Sequence, residues 1–298
     1  MRNLLFILYQ WATRLLWGTG LSKLPPIFWL YSRLFTFLRP SGSTMEVSGV
    51  RMYSRLDGLP NSYVRTYQAY IVKGGWEEET TKLFKSIVKE GDIVVDIGAN
   101  IGYYTLMASS LVGPSGKVYA FEPDPINHSL LVKNIELNGF SNIVTEQKAV
   151  SDKNGKLKFY LNKDDVGAHT LYQPKFSCDV LDVESIRLDD YFSSKKIPIN
   201  FIKMDIEGAE LAALLGMPNI IQANPGLKVV AEFHLPWIRR SGVDPEYFVS
   251  LLLDQYKFSV TVIQDYTRNV KSVKVSNMPD LISLCQKGVV NLLLERKE

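Results

Sequence analysis

From residue 92 onward, short apolar runs alternate with segments of helical periodicity, and few architectures tolerate that order. "DIVVDIG" (92–98), "KVYAFEP" (117–123), "INFIKMDI" (199–206) and "KVVAEFH" (228–234) have strand length and read as buried strands. Between them, "YYTLMASSLV" (103–112), residues 125–138 before Gly139, and "EGAELAALLG" (207–216) read as helices. "EEETTKLFKSIVKEG" (77–91) reads as a helix too, with acids in its first turn and Gly91 just past its end. "IVTEQKAV" (143–150), "KFSVTVIQD" (257–265) and "VVNLLLERK" (289–297) read as further strands, and "KLKFYLN" (156–162) as an extra strand of an insertion. "DPEYFVSLLLDQY" (244–256) reads as a late helix. Strands and helices alternating in this way predict an α/β fold, a doubly wound, mostly parallel sheet with helices on both faces.

The first 45 residues stand apart. They hold Arg2, Arg14, Lys23, Arg33 and Arg39 and no acid, so the small positive net charge of the chain arises there and the remainder is slightly acidic. Residues 4–17 place Leu4, Ile7, Leu8, Trp11 and Leu15 at helical spacing, and residues 27–38 place Ile27, Leu30, Tyr31, Leu34 and Leu38, with Pro25-Pro26 between the two segments. At about 1.5 Å per residue, each helix would be roughly 20 Å long, short of the ~30 Å of a bilayer core. The expected division is therefore a basic amphipathic helical segment, 1–45, suited to lie on a membrane surface through residues 1–40, and one large domain, 46–298. Packing of these helices on the main domain is the competing reading. The two cysteines, Cys178 and Cys285, form no CxxC pair or Cys/His cluster, so neither a disulfide framework nor a structural zinc is expected. A cytoplasmic protein, peripheral at the inner membrane surface, fits these features. An acidic main domain without a basic stripe argues against a nucleic-acid partner.

In open α/β sheets, ligands bind beyond the carboxyl ends of the strands. There the first strand ends in Asp96, followed by Gly98, Asn100 and Gly102, and the second ends in Glu122, 24 residues after Gly98. A carboxylate at that distance can accept from both hydroxyls of a ribose. The loop lacks the third glycine of a dinucleotide fingerprint, and Asp96 would repel a pyrophosphate. S-adenosylmethionine suits it better, having an ammonium, a sulfonium and a ribose diol but no phosphate. A nicotinamide-dependent reductase and a non-catalytic binding protein are the remote alternatives.

"WEEETTKLF", "GDIVVDIGANIGYYTL", "VYAFEPDP", "QKAVSD", "SIRLDDYF", "FIKMDIEGAE" and "VVAEFH", in that order over 76–234, resemble an FkbM-type methyltransferase, a branch of the class I S-adenosylmethionine-dependent enzymes. The resemblance implies a seven-stranded, mostly parallel, Rossmann-like sheet with the N-terminal helices as an appendage. It implies that Asp96, Gly98, Asn100, Gly102 and Thr105 line the methionine part of the cofactor. It also implies Glu122 on the ribose, and Ala149 and Val150 beside adenine. Residues 1–45 lie outside it and inherit nothing.

Catalytic candidates come from two neighbouring strand ends. Residues two apart on a strand face one side, so Lys203, Asp205 and Glu207 project together, and Glu232 pairs with His234. His234 or Asp205 is the candidate base, with Lys203 paired to a carboxylate. The set Asp205, Glu232 and His234 would also admit Mg²⁺ or Mn²⁺; a metal is not favoured. His169 lies in a loop expected over the site. The expected reaction is O-methyl transfer to a hydroxyl of a sugar or glycan, lipid-linked at the membrane surface. A small secondary-metabolite alcohol is the alternative acceptor.

Overall fold

The computed structural model describes residues 42–53, 77–163, 167–265, 273–275, 277–285 and 288–296, with seven single positions among the first 41. The chain divides into two compact units, Met1–Gly75 and Trp76–Glu298. In the first, strands β1 (Thr44–Val47) and β2 (Val50–Tyr53) pair antiparallel. Ser48 and Gly49 both have positive φ, the twist a two-residue hairpin needs. The helices expected over 4–17 and 27–38 fall almost wholly outside the described residues. Leu5, Leu8, Trp11, Leu30, Leu34 and Phe37 are described; they are helical and exposed.

The second unit opens with helix α1 (Glu78–Ile87) and strand β3 (Ile93–Ile97). Helix α2 (Tyr103–Val112), strand β4 (Lys117–Phe121), helix α3 (Pro125–Asn138) and strand β5 (Ile143–Glu146) follow. Then come β6 (Ala149–Val150), β7 (Gly155–Asn162), β8 (Cys178–Ile186) and the short helix α4 (Leu188–Phe192). Strand β9 (Phe201–Met204) leads through α5 (Glu210–Leu215) and α6 (Pro218–Ala223) to β10 (Lys228–Phe233). Helices α7 (Leu235–Arg240) and α8 (Pro245–Ser250, continued by a π-turn over Leu251–Gln255) precede β11 (Phe258–Ile263). Strand β12 (Val273–Val275), helix α9 (Met278–Cys285) and strand β13 (Val290–Arg296) complete it.

The main sheet has the order β12-β11-β13-β10-β9-β3-β4-β5. The five strands from β10 to β5 run parallel; β13 enters antiparallel between β10 and β11. The expected mostly parallel α/β sheet is present, with one correction. Among the described residues it has eight strands, not seven, because the three-residue β12 adds an edge beside β11. Residues 143–150, read as one strand, are split. Ile143–Glu146 ends the main sheet, while Ala149–Val150 pairs with β8 in a separate three-stranded sheet. The inserted strand β7 finds its partner in β8, a strand whose acids and mixed exposure conceal it in the sequence.

Alternation along the central strands divides their side chains between two faces. Val95, Ile97, Ile202, Met204, Val229, Ala231 and Phe233 belong to the large core, with the helices from α5 to α8 packed on it. One residue out of phase, Asp96 and Lys203 are register neighbours on the opposite face, the α1–α2 side, where Phe84 packs on Phe201 and Tyr104. Apolar residues on both faces is what a central parallel strand requires. Asp96, Lys203 and Glu232 are departures from it, each placed at or near a carboxyl end.

Candidate active site

A cleft of about 510 Å³, counting its open mouth, lies beyond the carboxyl ends of β3, β4 and β9. Gly98, Asn100, Glu122, Ala149 and Val150 line it on one side, and Asp205 and Glu207 on the other. These two sides are built differently.

On the first side the backbone does the shaping. Gly98 leaves β3 with φ +80°, and a Cβ there would lie 2.0 Å from the carbonyl oxygen of Asp205. Only glycine lets the loop after β3 pass that close to the loop after β9. Asn100 also has positive φ, and Gly102 turns the chain into α2 at φ +101°. The Asn100 and Asp124 N–H groups donate to the two oxygens of Glu122, at 2.7 and 2.9 Å. Each oxygen retains a lone pair for a further donor. Burial pushes the Glu122 carboxyl up to about 8, against the lowering effect of these two bonds.

Asp96, Gly102 and Thr105 do not line this cleft. Asp96 is 3 % exposed and accepts from the Thr105 hydroxyl behind the loop. Burial raises its pKa to about 6, with the Thr105 bond and the Lys203 charge opposing. The pair braces the loop from beneath. Asp124, which also caps α3, lies 3.5 Å from Nε2 of His169. His169 lines the cleft, and its Nδ1 accepts from the Asn162 N–H at 2.9 Å. Thr170 completes the loop's attachment, exchanging backbone bonds with Tyr160 and donating its hydroxyl to the Glu207 carbonyl.

On the second side, charges crowd together. Lys203 is 1 % exposed, 3.5 Å from Asp205 Oδ2 and 5.0 Å above the Tyr104 ring. Burial pulls its pKa down, but Asp205, Glu77, Asp96 and Glu232 outweigh that and hold it above its ordinary value, so the ammonium stays protonated. Among the described residues, Asp205, Glu207 and Glu232 each offer a carboxylate oxygen within 4.8 Å of the others. Burial, then the neighbouring acids, drive Glu232 well above its ordinary pKa. Glu210 starts α5, accepts from the Ile206 N–H, and is raised by burial to about 7.

His234 is not in that carboxylate group. It follows the last residue of β10 with its backbone still extended and leads into α7. Burial and Arg240 lower its pKa. The metal-admitting set is thus Asp205, Glu207 and Glu232, with Glu207 where His234 was expected. Glu207 reaches it through a left-handed turn, φ +49°, followed by Gly208 at +95°.

Sequence reasoning missed the support behind Lys203. Glu77, buried just before α1, accepts from the Tyr104 hydroxyl at 2.9 Å and from the Asn291 amide at 2.7 Å. Asp265, at the end of β11, caps α1 through the Glu79 and Thr80 N–H groups and the Thr80 hydroxyl. Glu77 lay within a run of three glutamates, where a solvated helix face is the ordinary expectation. Only Asn291, the lone polar residue within "VVNLLL", carried a visible signal.

A family model, the methyltransferase FkbM domain, matches residues 96–260, more than half of the chain. The hexuronic acid methyltransferase AglP of Haloferax volcanii is 27% identical over 187 residues, 62% of this chain and 71% of that protein. The 31-O-demethyl-FK506 methyltransferase FkbM of Streptomyces tacrolimicus is 30% identical over 182 residues, 49% of this chain and 67% of that protein. A solved methyltransferase FkbM from Methylobacillus flagellatus KT aligns at 16% identity with a TM-score of 0.41, covering 78% of this chain and 54% of that one.

Proposed function

The chain belongs to the FkbM methyltransferase family, and from that premise we propose that it transfers a methyl group from S-adenosylmethionine to a hydroxyl of a sugar or glycan. The observation that carries this reading is Glu122, buried at the end of β4 with both oxygens aimed by backbone N–H groups beside the cleft. A carboxylate so held suits a ribose diol. Gly98 lets the loop after β3 pass against the loop after β9, so that both loops line one cleft. When bound, S-adenosylmethionine supplies an electrophilic methyl on a sulfonium. The acids bordering the cleft favour a cationic ligand and disfavour a phosphate.

Acceptance of the methyl requires a hydroxyl oxygen held about 3 Å from it, in line with the bond that breaks. Asp205 borders the cleft, 29 % exposed, and is our candidate to orient that hydroxyl and take its proton. Lys203 stands 3.5 Å from Asp205 and helps to fix its position. Glu77, Tyr104 and Asn291 hold Lys203's surroundings in turn. The relative that acts on hexuronic acid supports a sugar acceptor.

Residues 1–40 support a membrane-surface setting, and hence a lipid-linked glycan. No described helix is long and apolar enough to cross a membrane. Trp11 and Phe37 are 67 % and 74 % exposed in a stretch with five bases and no acid, a combination suited to an anionic lipid surface.

Calorimetric titration of S-adenosylmethionine into the wild type and Glu122→Ala, with NADH as control, tests the cofactor. Transfer of labelled methyl groups to membrane-extracted glycans tests the acceptor. Absence of S-adenosylmethionine binding to the wild type would sink the first half. Label appearing solely on soluble small-molecule alcohols would sink the second.

A further inference from the structure

We propose that the carboxylates of Asp205, Glu207 and Glu232 form a binding site for one divalent cation of the hard, oxygen-seeking class, Mg²⁺, Mn²⁺ or Ca²⁺, on the acceptor side of the cleft. Their ligand oxygens lie within 4.8 Å of one another. That spacing suits a common ion, since such cations hold oxygens at about 2.0–2.6 Å. Three acids from two strand ends do not by themselves make a site; two further observations point to a missing positive partner.

Glu232 is 8 % exposed, and its Oε2 has no hydrogen-bond donor. Asn291, wholly buried on β13 and paired in register with Glu232, leaves its Oδ1 without a donor too. Paired residues on adjacent strands project their side chains to the same face. Two buried oxygens without hydrogen-bond partners therefore belong to residues on one face of the sheet, beside the acidic group. An unmet buried acceptor is costly, and native structures seldom leave one without a function or a bound partner. Lys203 does not meet the need. Its Nζ stands 3.5 Å from Asp205 and makes no hydrogen bond to Glu232. One ammonium faces Asp205, Glu77, Asp96 and Glu232 together.

The turn after β9 adds to this. Glu207 adopts a left-handed φ of +49°, a conformation that costs a glutamate about 1 kcal/mol or more and that persists where surrounding structure demands it. The turn brings a third carboxylate back toward the strand ends, where repulsion opposes it. A cation removes that conflict.

Cation binding goes beyond the proposed reaction. Its role, holding the acceptor oxygen and lowering the hydroxyl's pKa, rests on that reading. One oxygen from each carboxylate suffices for ligation, so Asp205 keeps a second oxygen as proton acceptor.

The test is calorimetric titration of MgCl₂, and separately of CaCl₂, into chelator-stripped full-length protein without S-adenosylmethionine. The expected result is saturable one-site binding at or below about 1 mM. Glu207→Gln and Glu232→Gln each weaken it about tenfold or more, and Glu184→Gln, exposed on β8, leaves it unchanged. No saturable binding of either ion overturns the proposal. So does binding that survives both glutamine substitutions, or a gain in Tm that NaCl reproduces at equal ionic strength. Should Glu232→Gln fail to fold by circular dichroism, the partly exposed Glu207 decides the matter. S-adenosylmethionine titrated into the same wild-type sample separates failure of this site from failure of the methyl-transfer reading.

Discussion

The two sides of the cleft solve opposite problems. Along the ends of β3 and β4, a single acid, Glu122, is buried and then met by N–H groups from Asn100 and Asp124, all within about two dozen residues of chain. Along the ends of β9 and β10, Asp205, Glu207 and Glu232 are drawn toward one another and toward Lys203, with two of the buried polar atoms left unmet. Each side leaves a buried acceptor unmet, Asn127 Oδ1 on the first and Glu232 Oε2 on the second, but among the described residues only the second gathers carboxylates against one another. A side met mostly by its own backbone suits the proposed cofactor, and a side crowded with charge suits the proposed cation and acceptor.

The largest effect should come from the crowded side. Asp205→Asn keeps the shape and removes the proton acceptor, so kcat should fall by about 10²–10⁴-fold while S-adenosylmethionine affinity changes little. Steady-state methyl transfer read beside calorimetry checks this. Loss of cofactor affinity instead would mean that the two sides are not separate.

Next in size is the one place where the sides touch. Gly98→Ala puts a methyl 2.0 Å from the Asp205 carbonyl at a φ that alanine resists. Stability should drop by about 2 kcal/mol or more, measured by urea unfolding, and cofactor binding should be lost with it. An alanine variant that folds and binds like wild type would show that the two loops can part.

Glu122→Ala should weaken S-adenosylmethionine by about tenfold, or ~1.4 kcal/mol, without changing the kcat at saturating cofactor. An equal loss in kcat would shift Glu122 from holding the cofactor to shaping the transfer itself.

The pH dependence of the free protein sharpens the contrast further. Burial raises Glu122 from its ordinary 4.5 to about 8 and Glu210 to about 7. The folded state therefore keeps protons that the unfolded chain has already released. Their contribution to stability is full below about pH 4.5 and is lost as pH rises toward 8. Tm should fall across that window, and Glu122→Ala should flatten the upper part of the fall. A Tm that rises steadily from pH 5 to 8 would contradict it.

Smallest is Tyr104→Phe, which takes one donor from Glu77. It should cost about 1–1.5 kcal/mol of stability. Activity should fall only if Glu77 controls Lys203, and thereby Asp205.

The Glu122 side was legible because its parts are close in sequence and bound by backbone rules. Asp96 to Gly102 announced a strand end and a tight loop, and Glu122 stood at the spacing of a second strand end. What spacing could not tell was depth. Asp96 and Thr105 brace the loop rather than line the cleft. The crowded side was legible in part. Strand alternation put Lys203 beside Asp205, as found, but His234 does not join the carboxylate group. Glu77 and Asn291, 214 residues apart, meet in a hydrogen bond that no local pattern foreshadows.

Local chemistry thus sufficed for the alternating elements, the loop glycines and the acids at the strand ends, because period, turn geometry and solvation act over a few residues. Tertiary structure alone decided which acids meet. Inserting β13 antiparallel beside β10 sets Asn291 against Glu232, and a left-handed turn at Glu207 leaves its carboxylate with those of Asp205 and Glu232, a group His234 does not join. Those choices depend on sheet order and on the balance of charge in a buried space. Both are properties of residues brought together from distant parts of the chain.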